Sequence, residues 1–406
     1  MADLQDDPQS TSAVGELEAP TSAVPAAPPA APPDPVSDPD AGDDCLDRAR
    51  SLLAAHPVAD GHNTLAKALA QAPWHDLEIG ESSLDTDIPR LRAGGVGAQF
   101  WALNAEPGCP DPAGATLERL DRIRSLIASC PAWLRLALSA GDLADARNCG
   151  RIASFLGPVA AHALGNSLGT LRAYHLLGVR ALALTPGTPW TEPGLSRFGL
   201  EVVRESNRLG ILLDLSGATA ATWRRTLDSS KAPALLSRSA AASLTQHPLN
   251  ASDDLLAAIG EQGGVCLVSF APDQIEGTGA AVSVREVADH IERVREVAGA
   301  AHVGLSGTYG LSTGAPRTSG LEDASCYPTL IAELLGRGWT EAEVAALTWE
   351  NLTRVVRDVE FAARATAPRR AASNATIEDL DGPVEGRPEP RPRTGDPDRT
   401  GDPDRA

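Results

Sequence analysis

The stretch "PVADGHNTLA" (residues 57–66) sets the reading of the chain. A short apolar rise ends in Asp60-Gly61-His62-Asn63-Thr64, the pattern of a buried strand and the turn after it. A histidine at such a tip is a common place for a metal ligand. A second donor two residues on would share its side of the strand. The residue there is Thr64.

Seven further runs have the same character: "VGAQFWAL" (96–103), "RIASFLG" (151–157), "ALALT" (181–185), "ILLDLS" (211–216), "PALLS" (233–237), "VCLVSF" (265–270) and "HVGLS" (302–306). Helical patterns lie between them. In "FGLEVVRESNRLG" (198–210), Phe198, Val202 and Leu209 share a face and Gly210 can close the helix. In "VREVADHIERVREVAG" (284–299), Val284, Val287, Ile291 and Val294 form a second stripe. "WTEAEV" (339–344) is a capping box with Thr340 as N-cap and Glu343 three residues on. Eight strand-like runs alternating with helices predict an α/β fold, a (β/α)8 barrel. A doubly wound open sheet is the alternative. It predicts a glycine-rich phosphate turn after an early strand, and no GxGxxG or GxxxxGK[ST] stands there. In a barrel the chemistry sits at the C-terminal ends of the strands. That directs attention to His62 and to the residues near Val159, Pro186, Gly217, Arg238 and Thr308.

The net charge of -19 argues against nucleic acid or an anionic membrane surface as partner. Most of it lies in the end segments: residues 1–44 carry -10 and residues 371–406 carry -4. The first holds nine prolines, and the second ends in the repeat "TGDPDRTGDPDR". Both predict solvated, disordered tails around a domain of residues 45–370. No basic patch followed by an apolar run, and no membrane-spanning run, is visible in the sequence. This predicts a cytoplasmic protein with no membrane span. Cys45, Cys109, Cys130, Cys149, Cys266 and Cys326 form no CxxC pair, and their scatter suits free thiols.

Four longer stretches carry a resemblance: "TDIPRLRAGGVGAQFWAL" (86–103), "SLGTLRAYHLLGVRALALT" (167–185), "GLSRFGLEVVRESNRLGILLDL" (194–215) and "GLEDASCYPTLIAELLGRGWTEAEV" (320–344). From about Val58 to Val356 the chain resembles the membrane (renal) dipeptidases, zinc hydrolases of dipeptides on a barrel of the metal-dependent-hydrolase type. The resemblance implies two zinc ions: a His-x-Asp after the first strand, a bridging Glu after the third, and histidines after the fifth and sixth. An Asp after the eighth assists the bridging water, and a His and an Arg bind substrate. Two metals would lower the pKa of a shared water and polarise the peptide carbonyl.

Carried across position by position, that set is largely missing. His62 matches the first ligand. The other four ligand positions fall on Thr64, Val159, Gly217 and Arg238, and the acid after the eighth strand falls on Thr308. The substrate-binding positions fall on Pro186, beside a two-residue deletion, and on Leu249. The family disulfides fail too. Cys109 loses its partner in that deletion, and a second pair falls on Thr245 and Gly277.

Disturbing outer-shell partners alone costs ~10–100-fold in metal affinity or activity, so four missing ligands should cost roughly 10⁴-fold or more. The expectation is a catalytically inactive dipeptidase-like protein acting by binding, with no cofactor. A small carboxylate or dipeptide-like ligand and, by resemblance, a homodimer are its expected partners. One alternative is a zinc-dependent dipeptidase with residual or altered activity, and another is an interaction protein driven by residues 1–44. His62 has three readings: part of a two-metal site, part of a one-metal site with His162, or a hydrogen-bonded histidine in a barrel mouth. Arg238 is expected either to pair with a carboxylate such as Asp214 or to bind an anion.

Overall fold

The structure is a computed structural model describing residues 39–72, 75–277, 281–311 and 315–383. The main sheet contains β1 (Val58–Asn63), β2 (Val96–Trp101), β3 (Leu134–Leu136), β4 (Ile152–Leu156), β5 (Val159–Ala160), β6 (Ala181–Ala183), β7 (Leu212–Asp214), β8 (Leu235–Ser239), β9 (Val265–Ser269) and β10 (Val303–Ser306). All its pairings are parallel, in the order β3-β4-β2-β1-β10-β9-β8-β7-β6-β5. Parallel strands covered on both faces read as continuous apolar runs, and β1, β2, β4 and β9 are buried at every residue.

All eight expected runs form strands. The single closed eight-stranded ladder does not: the sheet is a curled ten-stranded one. The third run forms β4 and stops at Gly157-Pro158, because Pro158 has no N–H to contribute to a ladder, and β5 follows outside the expected run. Across that break Leu156 bridges Val179, so the two ends of the curled sheet approach each other. The short strand β3 had no strand signal of its own.

Helices wrap the sheet where periodicity placed them. Arg197–Leu209 ends at Gly210 with φ 77°, a left-handed value open to glycine. Ser283 and Thr340 each form a complete capping box. Gly277 and Thr245 lie side by side: a Cβ on Gly277 would sit 3.5 Å from Thr245 Cγ2. All six cysteines are free.

The expected tail boundaries shift. Residues 1–38 and 384–406 lie outside the described residues, but the helix Pro39–Ala55 begins within the stretch expected to be a tail. Residues 371–383 touch the body at several points although many of them stay exposed. Ile377 is buried, and Asp381 accepts hydrogen bonds from the backbone N–H of Arg197 (3.0 Å) and Phe198 (3.2 Å). Two apolar side chains, Ile377 and the partly buried Leu380, and one helix-capping carboxylate offset the segment's polar composition.

Candidate functional site

Because every sheet strand runs the same way, the C-terminal ends of β1, β8 and β10 open on one face. A pocket of about 900 Å³ lies there, within the size range of small-molecule sites. His62, Thr64, Arg238, Leu249 and Thr308 all line it. Five of the eight positions singled out from sequence therefore meet at one cavity. Val159, Gly217 and Pro186 are not among its lining residues. Val159 is fully buried in the core, and Pro186 is exposed. Gly217 lies just behind the wall, since a Cβ built on it would be 2.8 Å from Leu249 Cδ2.

Hydrogen bonds below the mouth hold His62 in place. Its N–H donates to Asp60 Oδ1 (3.2 Å), which also accepts from the Gly307 N–H (2.9 Å), while Gln99 Nε2 donates to Asp60 Oδ2 (2.9 Å). Burial pushes the Asp60 carboxyl up to about 6, against the lowering effect of these donors. His62 Nδ1 lies 3.4 Å from Ser237 Oγ, and that hydroxyl donates its proton to Asp214 Oδ2 (2.6 Å). Nδ1–H is therefore the donor to Ser237, and Nε2 is left as an acceptor. Burial first, and the positive charge of Arg238 second, hold the imidazole well below its usual value, so it is neutral at pH 7.

The expected Arg238–Asp214 pair does not form. Asp214 Oδ1 accepts from the N–H of Ser216 (3.0 Å), Ser216 Oγ (2.7 Å) and the N–H of Ser237 (3.0 Å), and Oδ2 accepts from Ser237 Oγ. Its acceptor capacity is spent on local turns. Among the described residues the Arg238 guanidinium makes no hydrogen bond or ion pair. Asp214 and Asp273 act on it only as more distant charges. The other cations at the pocket are paired: Lys67 Nζ with Glu106 Oε1 (2.9 Å), and Arg317 with Asp85.

Thr64 Oγ1 faces the Tyr309 and Gly310 carbonyls (3.2 and 3.1 Å). Thr308 has φ 50°, a rare backbone state for a β-branched residue, and its Oγ1 donates to the Gly307 carbonyl (2.7 Å). His162 Nε2 is buried without a partner among the described residues, and His162 does not line the pocket with His62. His290 and His302 are satisfied by backbone groups.

The donor chemistry does not fit a two-zinc centre. Valine and glycine offer no ligand atom, the Thr64 hydroxyl is neutral, and Arg238 places a permanent positive charge beside His62. Among the described residues no three His, Cys, Asp or Glu side chains gather into a group able to hold a metal ion. Lys67, His247, Asp273 and Arg317 at the pocket wall went unrecognised from sequence. Their segments carry turn residues and no distinguishing spacing. No helix among the described residues is long and apolar enough to cross a membrane.

The membrane dipeptidase family model (peptidase family M19) matches residues 46–370. The chain is 37% identical over 353 residues to Dipeptidase 3 of Macaca fascicularis, covering 81% of this chain and 71% of that protein. It is 35% identical over 354 residues to Dipeptidase verJ of Clonostachys rogersoniana, covering 78% and 88%. Among solved structures it is similar to dipeptidase AC, a metallo peptidase, with a TM-score of 0.67 and 25% identity over 74% of this chain and 98% of that one. Matched along most of its length by one family and identical to named dipeptidases at more than a third of the aligned positions, this chain belongs to the membrane dipeptidase family.

Proposed function

We propose that the mouth pocket binds a small peptide-like or carboxylate ligand, and that this chain does so without two-zinc hydrolysis and without a resident metal. The observation that carries the reading is the donor set: of the five family ligand positions, only His62 keeps a metal-binding side chain. The same reading takes the curled sheet as a (β/α)8 barrel whose third strand is β4 and β5 together, which the Leu156–Val179 bridge supports. The six unpaired thiols support a reducing compartment such as the cytoplasm. A homodimer is proposed from kinship alone and is checked by light scattering in solution.

A second reading has its own support. The matched family is one of dipeptidases and the named relatives are dipeptidases, so kinship backs zinc-dependent dipeptide hydrolysis better than it backs binding alone. One experiment separates the two. The full chain is produced with zinc supplied, its metal content is measured by mass spectrometry, and hydrolysis of Ala-Ala is followed. Substoichiometric zinc and no turnover above buffer are expected for the binding reading. About two zinc ions per chain with turnover, the stoichiometry of a two-metal site, would replace it with the hydrolytic one.

A further inference from the structure

Three observations meet at β8. First, the position where the family resemblance implies a substrate-binding arginine is Leu249, whose side chain lies against Gly217 instead. Second, a different arginine stands next door. Ser239 Oγ donates to the Leu249 carbonyl (2.8 Å), which places Leu249 beside the strand residue that follows Arg238. Third, Arg238 is the cation at the pocket with no hydrogen-bond or ion-pair partner among the described residues. Arg238 is half-buried, and a guanidinium without a protein partner offers its N–H fork to an anion. A ligand anion would supply the missing counter-charge.

His62 adds a second point of contact. Its Nε2 is an acceptor with no partner among the described residues, in a side chain that lines the same pocket. Arg238 is near enough for its charge to act on that imidazole. A matching ligand has an oxyanion for Arg238 and an N–H for His62. The C-terminal end of a short peptide, or an N-acyl amino acid, carries both on either side of one carbon atom. We propose that Arg238 is a relocated carboxylate anchor, and that with His62 Nε2 it selects ligands bearing a carboxylate next to an amide N–H.

This inference rests on the ligand-binding reading of the pocket, and its test distinguishes the two. N-acetyl-L-alanine, N-acetyl-L-alanine amide and acetate are titrated into the full-length wild-type protein by calorimetry. The acid is expected to bind, with the amide weaker by roughly 10–100-fold, the range for a hydrogen bond to a charged group. Acetate, which lacks the N–H, is expected to fall between them. Arg238→Gln should abolish the preference for acid over amide, Arg238→Lys should restore part of it, and Arg50→Gln, at an exposed arginine outside the pocket, should change affinity less than about twofold. Because the acid–amide comparison is made on the wild type, it stands even if a variant folds poorly. Equal binding of acid and amide, or an Arg238→Gln protein that keeps the preference, overturns the anchor and leaves ligand binding intact. No binding of either compound, or of Ala-Ala, overturns both.

Discussion

At the scale of single residues, the mouth brings together one imidazole, one guanidinium and two hydroxyls, from His62, Arg238, Thr64 and Thr308. Thr308 is the most unusual of them. It holds φ 50°, a conformation that asparagine and aspartate tolerate and β-branched residues avoid. Thr308→Asn is therefore expected to raise stability by up to about 1 kcal/mol, part of the roughly 1–2 kcal/mol that the left-handed conformation costs. A thermal melt below that of the wild type would mean that the Thr308–Gly307 hydrogen bond outweighs the strain. Much of this chemistry was legible in advance. The identities at 64, 159, 217 and 238 state which donor atoms are absent. That Arg238 has no partner among the described residues was not legible. It depends on Ser216 and Ser237 saturating Asp214, and hydroxyl direction leaves no trace in residue spacing.

At the scale of elements, the links between strand ends and the surrounding helices carry the stability that the site relies on. Glu106 takes Lys67, which follows β1, on one oxygen, and Arg119 (2.6 Å), within the helix Pro112–Ser129, on the other. Its slight burial raises the carboxyl, but the hydrogen bonds and charges of Arg119 and Lys67 outweigh this and lower it from 4.5 to about 2. A carboxylate depressed on folding contributes stability above its unfolded pKa and loses it as pH falls through the folded one. The advantage of wild type over Glu106→Gln is thus expected to be full above about pH 4.5 and gone near pH 2. It should amount to about 1 kcal/mol, since Glu106 is half exposed and solvent screens the pair. Urea titrations at pH 6 and pH 2.5 measure it, and a difference that does not shrink in acid would refute the linkage. Periodicity revealed the long elements, because β-rich apolar runs and helical stripes each repeat several times. It missed β3 and β5, where three and two residues offer no period to detect.

At the scale of the whole molecule, the body continues past the family match, which ends at 370. Arg172 Nη1 donates to the Ser373 carbonyl (2.9 Å), Arg370 pairs with Glu201, Ile377 is buried, and Asp381 caps the helix Arg197–Leu209. Composition concealed this docking, because proline and charge dominate residues 371–406 and the apolar contact is brief. Ile377→Ala is expected to cost about 2–4 kcal/mol, as for other large-to-small changes at buried sites. Truncation after residue 370 should cost at least as much. Identical melting of the full and shortened chains would show that the segment adds nothing.

The contact between Leu249 and the space beside Gly217 also bears on how this chain could change over generations. A histidine introduced at 217 alone would meet a methyl group before it could reach the cavity, on a backbone whose φ of 72° already disfavours it. That methyl is the far end of a flexible side chain and can move aside, so the left-handed backbone is the stricter bar. A donor placed at 217 asks for a change of backbone as well as of residue.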